Sequence, residues 1–387
     1  MKMSCSLIMV WAVGFAMLGG MAVAAATEVR VGSKGELQVD GKPFLPIFAW
    51  AQPRELIAFN HDLGINAIVP GEKPEKEGPR RALLDDLHAN GMYGLLDADD
   101  MSPDTIGHPA LLAWRFGDEP DIMRKGEDGK FAPQHEPDHL VRRYREVRAR
   151  DASRPVWINL TARFYDTYRG GNVLPLENYR RYGEACDIIS YDHYPVTGWN
   201  KPERVPELYH ATRVFIELYP GKAHWVIVEN ADQNLSWTPP GTRGPTPEET
   251  RAMVWMALVA GANGIGYFPV AFRPFRWQNL TEEMKAEMRR LNAEITALSQ
   301  PLLVGEPIPA KSEDTNAAVR ALRQSGADYL FVVNLTRENV LVAVALDGAA
   351  SGMLYDRDGG PPIQRQDGRF SLKLGPLARG IFRDRPW

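Results

Sequence analysis

The chain is expected to be an α/β protein, a (β/α)8 TIM barrel followed by an antiparallel β-sandwich, and three features of its 387 residues predict this. Eight short runs rich in β-branched and aromatic residues alternate with polar-faced helical segments over about 260 residues, the repeat of a parallel barrel. From Pro301 onward the pattern changes to alternating runs split by turns, as antiparallel strands require. Among the eight runs, Leu111 to Gly117 and Trp225 to Glu229 also deliver glutamates, Glu119 and Glu229, to their C-terminal ends, the edge on which such barrels carry their chemistry.

The eight runs are Phe44 to Trp50, Ile65 to Pro70, Met92 to Asp97, Leu111 to Gly117, Pro155 to Asn159, Asp187 to Asp192, Trp225 to Glu229 and Gly264 to Phe268. Helical patterns lie between them, including Arg80 to Asn90, Asp138 to Asp151, Glu203 to Tyr219 and Pro247 to Ala260. The last of these carries the clearest boundaries. Thr246 can cap it, Pro247 suits its first turn, Glu249 completes a capping box and Gly261 ends it. A further helix from Thr281 to Leu298 closes the barrel. Beyond it, strands are expected at Ala317 to Leu322, Tyr329 to Asn334, Val340 to Leu346, Gly368 to Leu374 and Ala378 to Phe382, with a hairpin turn at Asp356 to Gly360. The expected organisation is a signal peptide over residues 1–26, a catalytic barrel over 27–299 and a sandwich domain over 300–387.

The signal peptide follows from Lys2, the apolar run Leu7 to Leu18, and the small residues up to Ala26, a pattern suited to cleavage near Ala24 to Ala26. Export to the periplasm or the outside is therefore expected, with no membrane attachment once the segment is removed. Cys5 would leave with it, and Cys186 alone excludes an internal disulfide or a cysteine-based zinc site in the remaining chain. A formal charge of -4 with no basic cluster gives no footprint for nucleic acid.

The residues at the strand ends are Trp50, Glu72, Asp97, Asp118, Glu119, Asn159, Asp192, His193, Tyr194, Glu229, Asn230 and Tyr267, and Trp237 lies in the loop after the seventh run. Carboxylates and amides pair with sugar hydroxyls, and aromatic rings pack on the C–H face of a pyranose, so a carbohydrate substrate is expected. Glycosidic cleavage needs one carboxyl group to protonate the leaving oxygen and a second to attack, or support attack, at the anomeric carbon. Glu119 and Glu229 are the candidates for these two roles; the other residues are candidates for substrate binding.

These motifs together resemble the retaining clan A glycoside hydrolases. Gly41-Lys-Pro-Phe-Leu-Pro46 is similar to their first strand, Asp118-Glu119-Pro120 to their fourth-strand acid/base motif, and Asp192-His-Tyr-Pro195 to their sixth strand. Glu229 falls at their seventh-strand nucleophile position, and Gly261 to Phe268 is similar to their eighth strand. The resemblance spans about residues 37 to 298 and implies Glu119 as general acid/base, Glu229 as nucleophile and a β-linked substrate. One position departs from it: the clan usually has Asn before the acid/base Glu, and here Asp118 stands there. An Asp-Glu pair instead resembles the substrate-assisted N-acetylhexosaminidases, in which the Asp orients the substrate's acetamido group as nucleophile. A non-catalytic glycan-binding barrel is a third reading, opposed by the presence of both glutamates.

His135-Glu-Pro-Asp-His139 has the spacing of a zinc-protease motif, but Pro137 cannot sit inside the continuous helix that motif needs and is expected to start a helix instead. No metal is expected, and the absence of a Gly-rich phosphate loop before a helix gives no site for a nucleotide cofactor.

Overall fold

The computed structural model describes residues 27–71, 78–127, 129–171 and 174–387. The expected signal peptide and Glu72 lie outside the described residues. Among the described residues, no helix is long and apolar enough to cross a membrane.

Eight parallel strands close into a barrel: β1 (Ile47–Gln52), β2 (Ala67–Pro70), β3 (Tyr93–Asp97), β4 (Leu111–Arg115), β5 (Val156–Thr161), β6 (Ile188–His193), β7 (Ala223–Glu229) and β8 (Gly264–Phe268). Each strand pairs with the next, and β8 pairs with β1. Each of the eight expected runs contains or overlaps one of these strands. Side chains alternate between two cores, because successive Cβ atoms on a strand point to opposite faces. Phe48, Leu95, Leu112, Trp157, Ile188, Trp225 and Ile227 fill the barrel interior. Ile68, Leu96, Trp114, Ile158, Ile189, Val226, Val228 and Ile265 face the surrounding helices.

The interior is plugged by Phe48, Trp157 and Trp225, whose ring centroids lie 5.3 Å from one another. Gly266 makes room for this plug: a Cβ there would lie 2.5 Å from the Phe48 ring. Burying such aromatic area supplies a large share of the barrel's hydrophobic stabilisation and leaves only the mouth above the plug for a ligand. At the opposite end, Arg154 is fully buried and donates to the carbonyls of Leu111 at 2.6 Å and His108 at 2.9 Å, tying the start of β4 to the chain entering β5.

Helices Arg80–Ala89, Pro137–Arg150, Pro247–Ala260 and Glu282–Ala297 fall where the patterns predict them. Thr246 and Glu249 form the expected capping box, and Gly261 ends that helix in the left-handed region at φ 118°. Pro137 occupies the first turn of its helix, so His135 lies in the preceding loop. The expected helix Glu203 to Tyr219 is instead a short 3-10 turn, Pro202–Arg204, followed by a helix over Glu207–Leu218. Pro206 lacks the amide that one continuous helix would use there. After β5 the chain forms two short helices, Arg163–Tyr168 and Leu176–Gly183.

The C-terminal residues form two main antiparallel sheets. One has six strands, in the order Glu306–Ile308, Ala317–Gln324, Ala327–Asn334, Arg379–Arg383, Met353–Asp356 and Ile363–Gln364. The other has three strands, Ala310–Ser312, Val340–Leu346 and Arg369–Leu374. Leu330, Val332 and Phe382 of the first and Val342, Val344, Phe370 and Leu372 of the second share one buried cluster. These sheets dock on the barrel helices through Arg379, which bonds Glu294 at 2.5 Å, and through Phe331, stacked on Trp255 at 5.8 Å.

Candidate active site

Four residues past the end of β4, Glu119 has a φ of 46°, a conformation uncommon for any residue but glycine. Its amide donates to the Asn159 carbonyl of β5 at 3.2 Å, which fixes this turn at the barrel mouth. The strain such a backbone stores, of order 1–3 kcal/mol, tends to be found where a side chain must be aimed. Beneath it a hydrogen-bond chain rises through the barrel. Trp157 Nε1 donates to Ser190 Oγ at 2.8 Å, and Ser190 Oγ donates to Asn159 Oδ1 at 2.7 Å. With its oxygen so engaged, Asn159 presents Nδ2 to both Asp118 at 2.9 Å and Asp192 at 2.6 Å. Asp192 in turn lies close enough to Glu119 and Tyr194 to influence, and be influenced by, their titration.

This concentration of carboxyl groups cannot be fully ionised near neutral pH, because each added charge repels the others in a poorly solvated site. Burial, followed by the charges of Asp118 and Asp121, pushes the Glu119 carboxyl up to about 8. Burial and then Glu119 and Asp118 raise Asp192 well above the usual carboxylate range. Desolvation by the protein packed around Asp118 raises it as well, against the opposing Asn159 hydrogen bond and the charge of Arg115. Asp121, fully buried, is pushed up to about 6 by burial against the donors of Thr161, whose amide reaches it at 2.9 Å.

Glu119 and Asp192 line a cleft of about 630 Å³ at the mouth, together with Tyr194, Trp199, Arg163 and Trp237. Trp237 is 72% exposed. Phe268, at the inward end of β8, stacks on Tyr194 at 5.9 Å and supports its ring.

Glu229 ends β7 but is wholly buried. The Val196 amide donates to one carboxyl oxygen at 2.5 Å and the Thr197 amide to the other at 2.6 Å. Burial pushes it up to about 8, against the opposing effect of these amides. The turn from Tyr194 to Gly198 covers it, with Gly198 facing the cleft.

The remaining candidates divide by strand parity. Trp50 packs edge-on against Trp157 at 5.2 Å just above the plug, and Arg115 lies over its ring at 5.4 Å while approaching Asp97 at 3.5 Å. This trio forms the β1–β4 side of the mouth. His193, Asn230 and Tyr267 are turned away from the cleft, which corrects their reading as sugar contacts. His193 is buried against Trp199 at 4.9 Å, Asn230 Nδ2 reaches Met288 Sδ at 3.2 Å, and the Tyr267 hydroxyl donates to Asn292 at 2.8 Å. Each lies one position from an inward residue, so each faces the helices. Sequence reasoning missed Thr161, Arg163, Trp199, Lys201 and Phe268. Alternation counted outward from Ile227 and Gly266 is the signal that would have placed Phe268 inward; the loop residues carry no comparable one. Among the described residues, no group of His, Cys, Asp and Glu is arranged to hold a metal ion.

A sequence-family model described as beta-galactosidase, glycoside hydrolase family 42, matches residues 129–290, a span that includes Asn159, Asp192 and Glu229. No curated protein matches the chain. Among solved structures, a protein described as a glycoside hydrolase superposes with a TM-score of 0.59 at 11% identity, covering 92% of this chain and 96% of its own. A glycoside hydrolase family 5 protein from Bacteroides vulgatus superposes with a TM-score of 0.58 at 13% identity, covering 92% of this chain and 93% of its own. At these identities the structural likeness speaks for the fold, and the family match is a likeness over residues 129–290. Together with the closed barrel and its carboxyl-lined mouth, these likenesses show a (β/α)8 barrel similar to those of glycoside hydrolases, with a family match over the part that carries β5 to β8.

Proposed function

We propose that the protein is an exported glycoside hydrolase that cleaves β-linked sugars by a retaining double displacement, with Glu119 as general acid/base and Glu229 as nucleophile. The observation that carries the reading is Glu119 itself, a carboxyl group on the wall of the cleft, raised to about 8 and therefore able to hold a proton at neutral pH. In the first step Glu229 gives up to solvent the proton that its burial favours, Glu119 protonates the glycosidic oxygen as its bond to the anomeric carbon breaks, and the Glu229 carboxylate forms an ester to that carbon. In the second step Glu119, now ionised, takes a proton from water as the water oxygen attacks the anomeric carbon and Glu229 departs.

The position of Glu229 at the end of β7 and the family match across it support this assignment. The Val196 and Thr197 amides orient its carboxylate, and attack requires the Tyr194 to Gly198 turn to draw back. The match to a beta-galactosidase family supports a β linkage, and the N-terminal residues support export. We also read residues 27–299 as the catalytic barrel and 300–387 as a β-sandwich domain, for which the apolar cluster shared by the two sheets is the support.

A second reading draws on a specific observation: Asp192 lines the cleft with Glu119, and Asp118, the neighbour of Glu119, shares the Asn159 amide with Asp192, while Glu229 is covered. In it Asp118 orients an acetamido group of the substrate, which attacks in place of Glu229. NMR of the first-formed product tests the main proposal: retention of anomeric configuration is expected, and inversion contradicts both readings. Inhibition by an N-acetylglucosamine-derived thiazoline selects the second.

A further inference from the structure

The cleft holds two cationic side chains that a neutral sugar does not use. Arg163, the first residue of helix Arg163–Tyr168, and Lys201, in the loop after β6, both line it and are exposed. Among the described residues, neither side chain makes a hydrogen bond or ion pair. Their neighbours are matched: Arg204 reaches Glu207 at 2.7 Å and Asp166 at 3.7 Å, and Arg169 reaches Glu207 at 3.5 Å. Two arginines thus balance two carboxylates, which leaves Arg163 and Lys201 uncompensated. The inner wall opposes them weakly, since Glu119, raised to about 8, holds its proton near neutral pH and burial raises Asp192 in the same direction. On a chain of net charge -4, this runs against the overall sign.

Exposed cations on a flat surface are ordinary, but inside a concave site they focus the field on whatever binds there. Arg163 also acts on the acid directly, its charge being one of those that oppose the rise of Glu119. Trp237 lines the same cleft with an exposed ring for a sugar to pack on, Trp199 lines it with Arg204 over its ring at 4.8 Å, and the guanidinium of Arg163 can pair with two oxygens of a carboxylate or sulfate. Resting on the hydrolase reading above, we infer that the cleft takes a glycan with an anionic sugar, a uronate or a sulfate ester, beside the scissile bond, with Arg163 and Lys201 as its counter-charges.

The test uses the full exported chain carrying Glu119→Gln, so that ligands are not consumed, with tryptophan fluorescence as readout. It is titrated with an oligogalacturonate, a galactan oligosaccharide bearing sulfate esters, and an uncharged galactan oligosaccharide of equal length. Binding of at least one anionic ligand about tenfold tighter than the neutral one is expected, weakening as salt rises. Preference for the first or second ligand identifies uronate or sulfate. Adding Arg163→Met and Lys201→Met should remove most of that preference and flatten the salt dependence. Equal or tighter binding of the neutral ligand, no binding of any ligand, or an anionic preference that survives both substitutions overturns the inference. Hydrolysis of a neutral glycoside by the unsubstituted enzyme is scored separately, so the hydrolase reading can stand where this one falls.

Discussion

Replacing Glu119 by Gln keeps the size of the side chain and removes the proton. With its carboxyl raised to about 8, Glu119 is about nine-tenths protonated at pH 7, whereas at its ordinary value of 4.5 only roughly 0.3% would be. The site thus enriches the acid form roughly 300-fold, and loss of a positioned general acid costs about 10²–10⁴ in rate. For an alkyl glycoside, whose leaving oxygen needs the proton, kcat/KM should fall within that range. An aryl glycoside with a dinitrophenol leaving group needs little protonation, so its glycosylation step should fall by less than about tenfold. The pH profile gives an independent check. The unsubstituted enzyme should lose kcat/KM on the alkyl substrate above pH about 8, where Glu119 ionises, and the variant should lack that limb. Stopped-flow release of the leaving group at several pH values measures both effects. A variant that keeps more than about a tenth of the alkyl activity, or keeps the alkaline limb, refutes the assignment of Glu119 as proton donor.

Three other outcomes are expected. Asp118→Asn removes a negative charge that raises Glu119, so the alkaline limb should move to lower pH by up to about one unit; an unmoved limb contradicts the electrostatic account. Glu229→Gln should abolish turnover and also change the pH dependence of stability. The folded state keeps a proton on Glu229 that the unfolded chain releases, so stability is fully present below pH about 4.5 and is lost as pH rises towards about 8. The variant should escape that loss, at most about 5 kcal/mol, in urea unfolding compared at pH 5 and pH 9, and parallel slopes would exclude it. Arg154→Met leaves the Leu111 and His108 carbonyls without their buried donor and should cost about 2–5 kcal/mol by the same unfolding assay; a loss under about 0.5 kcal/mol would show that other groups take its place.

The barrel was legible because strands buried on both faces read as short continuous apolar runs, and Phe44 to Trp50 or Trp225 to Glu229 can be read as little else between helical patterns. Asp118, Glu119, Asn159 and Asp192 were legible as strand-end polar residues for the same reason. Orientation was not, because a run of neighbouring polar residues does not say which one faces in. His193, Asn230 and Tyr267 each sit beside an inward residue and face the helices instead. The covering of Glu229 depends on the turn from Tyr194 to Gly198 folding across β7, a contact between segments more than 30 residues apart that no local pattern encodes. Arg163, at the start of a short helix, and Lys201, in a loop, lie on segments whose approach to the mouth is fixed by the barrel as a whole. The split of the Glu203 to Tyr219 pattern was readable from Pro206, which should have outweighed the helical periodicity around it.

The nucleophile is the residue on which sequence position and buried geometry pull apart, and trapping it decides between them. The enzyme is incubated with a 2-fluoro glycoside carrying a good leaving group, since fluorine beside the anomeric carbon slows both steps and the second can then be outlasted. Intact mass followed by peptide mapping should find one fluoroglycosyl group, on Glu229. An adduct on Asp192 or Asp118, or no adduct from an enzyme that turns over the parent glycoside with retention, would contradict Glu229 as the attacking group.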